Sequence, residues 1–175
     1  MKLTKIIDWL DRTLRVADFD DVSNNGLQVA RDGADVHRVA VAVDASVRAV
    51  EAAAECGAGL IVVHHGISWG GGMRRIDGGV YRVVRAAMGA DVAIYACHLP
   101  LDAHPTPGNN AQLARKLGLK RVRKAFSYHG NVIGLVGVDR VGRVVGVCSG
   151  GAGEFAEEAK RLGCDKFVTG EASWG

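Results

Sequence analysis

The stretch VAVAVDASVRAVEAAAECGAGLIVVHHG, residues 39–66, decides the fold. It opens with an apolar run over Val39–Val43, continues through an alanine-rich segment, and closes with a second apolar run over Leu60–Val63. Runs of this length and β-branched content are typical of buried strands, and Asp44 and Ser46 are residue types that can cap a helix between them. Strand, helix and strand in this order predict a βαβ unit with parallel strands and a right-handed crossover.

The same alternation continues on both sides of this unit and predicts an α/β fold of two lobes with mostly parallel sheets. We expect a first lobe over residues 1–124 and a second over 125–175, with the charge-rich segment Lys120–Lys124 at the boundary. The further predicted elements are a first helix beginning after Thr4, a strand over Leu27–Ala30, a helix near Tyr81–Met88, a strand over Val92–Ala96, a helix from Asn109 or Asn110 to Gly118, strands over Val132–Val138 and Arg143–Val147, a helix over Glu154–Leu162 and a strand over Lys166–Thr169.

Composition places the chain among globular proteins. Of its 175 residues, 48% are hydrophobic and 23% are charged, which excludes a disordered or fibrous chain. Its 22 basic and 19 acidic residues leave a net charge of +3, too small to identify a nucleic-acid partner. Aromatic residues are only 6%, so we expect an aliphatic core, which suits parallel strands covered by helices.

Cysteine usage and the N-terminal sequence both indicate a cytoplasmic protein. The 4 cysteines include no Cys-x-x-Cys pair, and we interpret them as small buried thiols in a reducing compartment rather than as zinc ligands or disulfides. The opening MKLTKIIDWLDRTLRV has charges every few residues and no apolar run long enough for a signal peptide or a membrane span. We therefore expect no membrane partner.

The strongest chemical signal is the pair His64 and His65, directly after the strand that ends the βαβ unit. The carboxyl edge of an open α/β sheet is where ligand sites form, and histidine is the commonest metal ligand. Adjacent residues in extended chain point to opposite sides. The pair could therefore reach two different ions, or one imidazole could bind an ion while the other orients a substrate. Two solvated loop histidines are the alternative.

A second signal, CHLPLDAHPTPGNN, follows the next predicted strand and contains His98, Asp102 and His104. Because Pro100 lies between His98 and Asp102, we expect a loop here and not a helical face. Neighbouring parallel strands are about 4.8 Å apart, so this loop and the His64 pair can share one site. Imidazole and carboxylate ligands suit zinc, manganese, iron, cobalt or nickel. The alternative is an ordinary turn.

Three weaker features complete the candidate residues. The segment CSGGAGE (148–154) resembles a phosphate loop, but it lacks the Lys-Ser/Thr of a P-loop, and we interpret it as a tight strand-to-helix turn. Asn24 or Asn25 could supply a polar group to a site. An internal similarity between residues 55–65 and 161–171 places Glu171 where the first segment has His65, although any two βαβ units look alike at this level.

Five segments taken in order resemble one protein family. They are NNGLQV (24–29), LIVVHHGISW (60–69), YACHLPLDAHPTPGNNAQLARKLGL (95–119), CSGGAG (148–153) and VTGE (168–171). They resemble the type-two GTP cyclohydrolase I homologues, also called the Nif-three-like family. The resemblance extends over nearly the whole chain and is carried chiefly by the two histidine motifs.

The resemblance implies two interlinked α/β lobes, a toroidal homohexamer, and a site for two divalent metal ions. It places the metal ligands at His64, His65 and Asp102, with His98 at the edge of the site and Glu171 close to it. His98 and Glu171 are thus the candidates for moving protons.

The chain departs from the family pattern in two ways. Family members are usually longer between the lobes, whereas here Gly137 runs almost directly into the next strand. The family also supplies a late histidine and a glutamate four residues beyond it, after the Thr-Gly-Glu turn, and the sequence to Gly175 does not contain them. We expect sequence to be missing, leaving the second lobe incomplete, rather than a degenerate site.

Two functions follow as hypotheses. The first is a dinuclear metal-dependent hydrolase acting on a nucleotide or a related small molecule, with GTP cyclohydrolase activity suggested by the resemblance alone. The second is a non-catalytic, metal-stabilised oligomeric scaffold that binds regulatory proteins or nucleic acid.

Overall fold

A computed structural model describes residues 1–33, 35–73 and 75–171 of the chain. It divides into two compact units, Met1–His98 and a second unit that begins at Leu99. The segment Lys120–Lys124, expected at the lobe boundary, forms the start of a strand within the second unit. The lobe boundary after Lys124 stays a prediction.

The first unit contains four strands and three α-helices among its described residues, close to the positions predicted from the sequence. A single turn of 3-10 helix covers Val16–Asp18. The elements are α1 (Leu3–Leu14), β1 (Gly26–Val29), β2 (Val39–Asp44), α2 (Val47–Glu55), β3 (Leu60–His65), α3 (Gly78–Gly89) and β4 (Ala93–Ala96).

The sheet of the first unit has the order β1-β4-β3-β2. Strands β2, β3 and β4 are mutually parallel and β1 pairs antiparallel with β4, so the predicted βαβ unit and mostly parallel sheet are confirmed here. Ser46 caps α2 by accepting a hydrogen bond from the Ala49 amide at 3.1 Å. Fully buried aliphatic side chains such as Val50, Ile61 and Ile94 form the core beneath α2 and α3.

The second unit has a sheet of order β5-β6-β7-β8. Only β7 and β8 are parallel, and β5, β6 and β7 form antiparallel pairs, contrary to the expectation for this lobe. The reason is connection length, since residues 129–130 and 139–143 are too few for a parallel crossover. Its elements are α4 (Leu99–Ala103), α5 (Asn109–Lys116), β5 (Lys120–Tyr128), β6 (Asn131–Val138), β7 (Val144–Cys148), a 3-10 turn (Gly153–Phe155), α6 (Ala156–Arg161) and β8 (Lys166–Thr169).

The prediction of a loop between His98 and Asp102 is wrong, because Leu99–Ala103 forms the short helix α4. Pro100 lies in its first turn, where the missing N–H has no helical acceptor to lose, so proline starts this helix instead of breaking it. Asp102 is consequently held on a helix and is 5% exposed.

Within the part of the chain that the structure describes, no helix is long and apolar enough to cross a membrane. The longest helices there, α1 and α3, have 12 residues each, against about 20 for a bilayer.

Candidate metal centre

Three imidazoles meet at the carboxyl edge of the first sheet. His64 and His65 are the last residues of β3, and His98 follows β4, the parallel neighbour of β3. The ring centroid of His64 is 4.5 Å from that of His65 and 4.9 Å from that of His98. One potential ligand atom from each ring lies within 4.8 Å of the others, so the histidine cluster of His64, His65 and His98 could hold a metal ion.

Each of the three rings is hydrogen-bonded through Nδ1. His64 Nδ1 lies 3.0 Å from the Cys97 carbonyl oxygen. His65 Nδ1 lies 2.7 Å from Asp44 Oδ1, and His98 Nδ1 lies 2.9 Å from Asp21 Oδ1. Carbonyl and carboxylate oxygens accept hydrogen bonds and do not donate them, so Nδ1 carries the hydrogen in every ring. In the neutral imidazole this tautomer puts the lone pair on Nε2, the arrangement that metal-binding histidines use.

The carboxylate behind His98 belongs to a buried network. The Asp21 side chain is 1% exposed, and its Oδ1 also accepts a hydrogen bond from the Ser23 amide at 3.0 Å. Its Oδ2 accepts one from Asn25 Nδ2 at 2.8 Å, and Asn25 Oδ1 in turn accepts one from the His98 amide at 2.7 Å. Asp21 and Asn25 thus fix both the ring and the backbone of His98.

The carboxylate behind His65 is exposed. Asp44 is 67% exposed and His65 is 43% exposed. The two residues are register partners at the ends of the parallel strands β2 and β3. Sequence reasoning assigned Asp44 to a helix cap and Asp21 to a loop; the signal available for Asp44 was its place at the end of the strand before the histidine strand.

The loop after His65 is held by the chain segment that contains Asn24 and Gln28. Gln28 Oε1 accepts a hydrogen bond from the Ile67 amide at 2.7 Å, and Asn24 Nδ2 donates one to Ser68 Oγ at 2.8 Å. A Cβ on Gly66 would lie 2.6 Å from the Cβ of Ala96, which cannot rotate away, and 2.2 Å from Gln28 Oε1, so a larger residue would have to displace the backbone. Asn24 therefore supports the site through the loop.

Asp102 lies in the second unit. Its Oδ1 accepts hydrogen bonds from Asn109 Nδ2 at 2.8 Å and from Ser149 Oγ at 2.9 Å. Burial, and next the charge of Asp102, raise the pKa of the Cys148 thiol to about 12. The role of Asp102 as a metal ligand stays a prediction.

Glu171 and the CSGGAGE turn also lie in the second unit. The Glu171 amide donates a hydrogen bond to the Gly150 carbonyl at 3.0 Å, and its side chain is exposed. Thr169 Oγ1 receives a hydrogen bond from the Ala152 amide at 3.1 Å and donates one to Gly150 O at 2.8 Å. Thr169 of β8 thus connects the CSGGAGE turn to this strand through two hydrogen bonds. The proton-transfer roles of Glu171 and His98 stay predictions.

The fold and the histidine cluster define an α/β protein with three histidines that could hold a metal ion at the edge of a mostly parallel sheet. Residues 1–144 match the Duf34/NIF3 (NGG1p interacting factor 3) family, and the chain belongs to this family. The family expected from the sequence motifs is thereby confirmed.

Relatives of known name share a large part of the chain. A "GTP cyclohydrolase 1 type 2 homolog" of Deinococcus radiodurans is 39% identical over 197 residues, covering 95% of this chain and 73% of its own length. The protein of the same name from Escherichia coli is 32% identical over 198 residues, covering 99% and 79%. Both alignments are longer than this chain, so the relatives contain residues with no counterpart here.

Solved structures agree on the fold. The chain is similar to protein ybgI, described as of unknown function, with a TM-score of 0.88 and 31% identity over 99% of this chain and 79% of that one. It is also similar to TTHA1606 from Thermus thermophilus, with a TM-score of 0.79 and 31% identity over the same shares. Reduced HcgD from Methanocaldococcus jannaschii has a TM-score of 0.82 at 21% identity, covers 99% of this chain and 80% of its own, and shows the fold alone.

Proposed function

We propose that this protein is a divalent-metal-dependent hydrolase acting on a nucleotide or a related small molecule. The observation that supports this most is the histidine cluster, in which each Nδ1 is held by an oxygen acceptor. Partners of this kind orient metal-binding imidazoles and raise their basicity. The name of the relatives, GTP cyclohydrolase 1 type 2 homolog, is the basis for proposing a nucleotide substrate.

The donor set fits a divalent transition metal. Imidazole nitrogen suits zinc, iron, cobalt and nickel, and a carboxylate from Asp102 would extend the range to manganese. A bound ion of this kind lowers the pKa of water towards neutrality and polarises a substrate carbonyl or phosphate. His64, His65 and His98 would hold the ion. Two ions, with Asp102 as a further ligand, remain our proposal from the family resemblance.

The chain's own residues would position the reacting groups. Asp44 and Asp21 keep His65 and His98 in the tautomer that presents Nε2, and the Cys97 carbonyl does the same for His64. We assign proton movement to Glu171, or to His98 where His64, His65 and Asp102 hold the ions and His98 lies at the edge of the site without binding one.

Metal content tests the site directly. After loading with Zn²⁺ or Mn²⁺ and removal of excess ion, the purified parent protein should retain metal, measured by inductively coupled plasma mass spectrometry. A variant carrying His64→Ala and Asp102→Ala should retain much less, whereas His37→Ala, an exposed histidine outside the cluster, should match the parent. If the parent retains no ion above background, the proposal of a metal site is wrong.

Turnover of GTP and other nucleotides tests the reaction. The metal-loaded parent should release product above background and the His64→Ala, Asp102→Ala variant should not. Equal rates in both would end the enzyme proposal while leaving the metal result intact.

The second candidate is a non-catalytic, metal-stabilised oligomeric scaffold for regulatory proteins or nucleic acid, which the family name, NGG1p interacting factor 3, favours. Metal retention without turnover of any nucleotide would support it. We also propose a toroidal homohexamer from the resemblance, with light scattering after size exclusion as the test of assembly. The cysteine usage and the N-terminal sequence are the basis for proposing a cytoplasmic location.

A further inference from the structure

A cavity of about 470 Å³ lies in the first unit, beside the loop that follows His65. Its walls are residues 45–47 at the N-terminal end of α2, Ile67 and Trp69 of the loop, and the first turns of α3 from Gly79 to Val83. We name it the Trp69 cavity. Its volume falls within the range of about 300–1,000 Å³ that small-molecule sites occupy.

The lining of the Trp69 cavity is mostly apolar with one cationic side chain. Val47, Ile67, Val80 and Val83 supply aliphatic surface, and Arg82 carries the only charge among the described lining residues. An apolar cavity with a single cation suits a ligand that has a flat or apolar body and one anionic group.

Trp69 is held at the junction of this cavity and the histidine cluster. Its Nε1 donates a hydrogen bond to the Gly66 carbonyl at 3.0 Å. Its ring centroid is 5.2 Å from that of His98, edge to face, and 6.1 Å from that of His65. The side chain is nevertheless 38% exposed, so an oriented indole surface remains open to a ligand.

We propose that the Trp69 cavity binds a planar heteroaromatic ring against the indole of Trp69, with an anionic substituent of the ligand directed to Arg82. Stacking on an aromatic side chain is tolerant of the ring's identity and stabilises it strongly enough to select rings over aliphatic ligands. This assignment rests on the proposed function in one respect, since it makes the ring part of the substrate and places it beside the histidine cluster.

Three probes separate the two parts of the proposal. GMP contains a ring and an anion, guanosine contains the ring alone, and ribose 5-phosphate contains the anion alone. Binding of each is measured by isothermal titration calorimetry to the full chain, with and without Zn²⁺. Trp69→Leu should weaken GMP and guanosine about fivefold or more and leave ribose 5-phosphate unchanged. Arg82→Gln should weaken GMP and ribose 5-phosphate about two- to fivefold and spare guanosine.

Matched controls are available in the same unit. Trp9→Leu changes another exposed tryptophan, on α1, and Arg85→Gln changes the next arginine of α3, outside the cavity lining. Both should bind all probes as the parent does. Trp69→Phe should retain most of the GMP affinity, which separates loss of stacking from loss of folding.

The proposal is overturned if the parent binds neither GMP nor guanosine, or if Trp69→Leu binds GMP as tightly as the parent. It is also overturned if ribose 5-phosphate loses as much affinity in Trp69→Leu as GMP does. Metal retention is measured in the same samples, so failure of the metal centre and failure of ring binding are read independently.

Discussion

Replacing Asp21 by asparagine should disrupt the proposed metal centre, although Asp21 is not one of its proposed ligands. In the parent, Asp21 accepts hydrogen bonds from the His98 ring, the Ser23 amide and Asn25 Nδ2. Asparagine offers one oxygen and one NH₂ group. If its oxygen faces His98 and Ser23, two NH₂ groups confront each other at Asn25, and Asn25 cannot turn because its Oδ1 already accepts the His98 amide.

The opposite orientation of the new amide is no better. Its NH₂ group would then face His98 Nδ1, and the ring could accept that hydrogen bond only by moving its own hydrogen to Nε2, the nitrogen proposed for the ion. Because the Asp21 side chain is 1% exposed, water cannot replace the lost hydrogen bond. A buried polar group left without a hydrogen-bond partner should lower the free energy of unfolding by about 1–3 kcal/mol. Metal affinity should fall about 10- to 100-fold.

Asp44→Asn is the matched control, since Asp44 holds His65 in the same way but is 67% exposed. Its unfolding free energy should stay within about 0.5 kcal/mol of the parent. Urea unfolding in the presence of EDTA gives stability without metal, and competition with a chromophoric chelator gives zinc affinity. The reasoning is refuted if Asp21→Asn matches the parent in both measurements, or if the two variants lose equal stability.

Three further outcomes are expected. Gly66→Ala should lower the melting temperature and the metal affinity, because the new Cβ would lie 2.6 Å from the Cβ of Ala96, which cannot rotate away. Gly89→Ala meets nothing within 4 Å and is the control, so equal effects of the two substitutions in thermal unfolding would contradict this prediction. Cys148, buried and with its pKa raised to about 12, should resist iodoacetamide at pH 8 while the exposed Cys56 reacts, and mass spectrometry of digests would show the reverse if the assignment were wrong. Between about pH 8.5, the pKa of an unfolded thiol, and pH 12, the folded protein keeps the Cys148 proton that the unfolded chain loses. The free energy of unfolding should therefore be constant below about pH 8.5, as far as this group is concerned, and should fall as the pH rises towards 12. Cys148→Ala should reduce the slope of the free energy of unfolding against pH by up to one proton, and an unchanged slope would count against the raised pKa of Cys148.

Much of the fold follows from local sequence. The apolar runs at Val39–Asp44 and Leu60–His65 become parallel strands, and Ser46 caps the helix between them, because strand preference and capping chemistry are encoded within a few residues. The expectation that the first run is buried is wrong, since β2 is an edge strand and Val39, Val41 and Val43 are exposed. The prediction of a loop between His98 and Asp102 was wrong because it treated proline as a helix breaker regardless of its position in the helix. Pro100 starts α4 because the first turn of a helix tolerates proline.

The sequence by itself determined the α/β class, the family and the identity of His64, His65 and His98 as candidate ligands, since each depends on residue type and order near a strand end. Only the tertiary structure decided that the three rings converge, and that Asp21 and Asp44 stand behind two of them. Asp21 is 77 residues from His98 along the chain. No local pattern specifies such a pair, because strand order and chain crossings bring the two residues together.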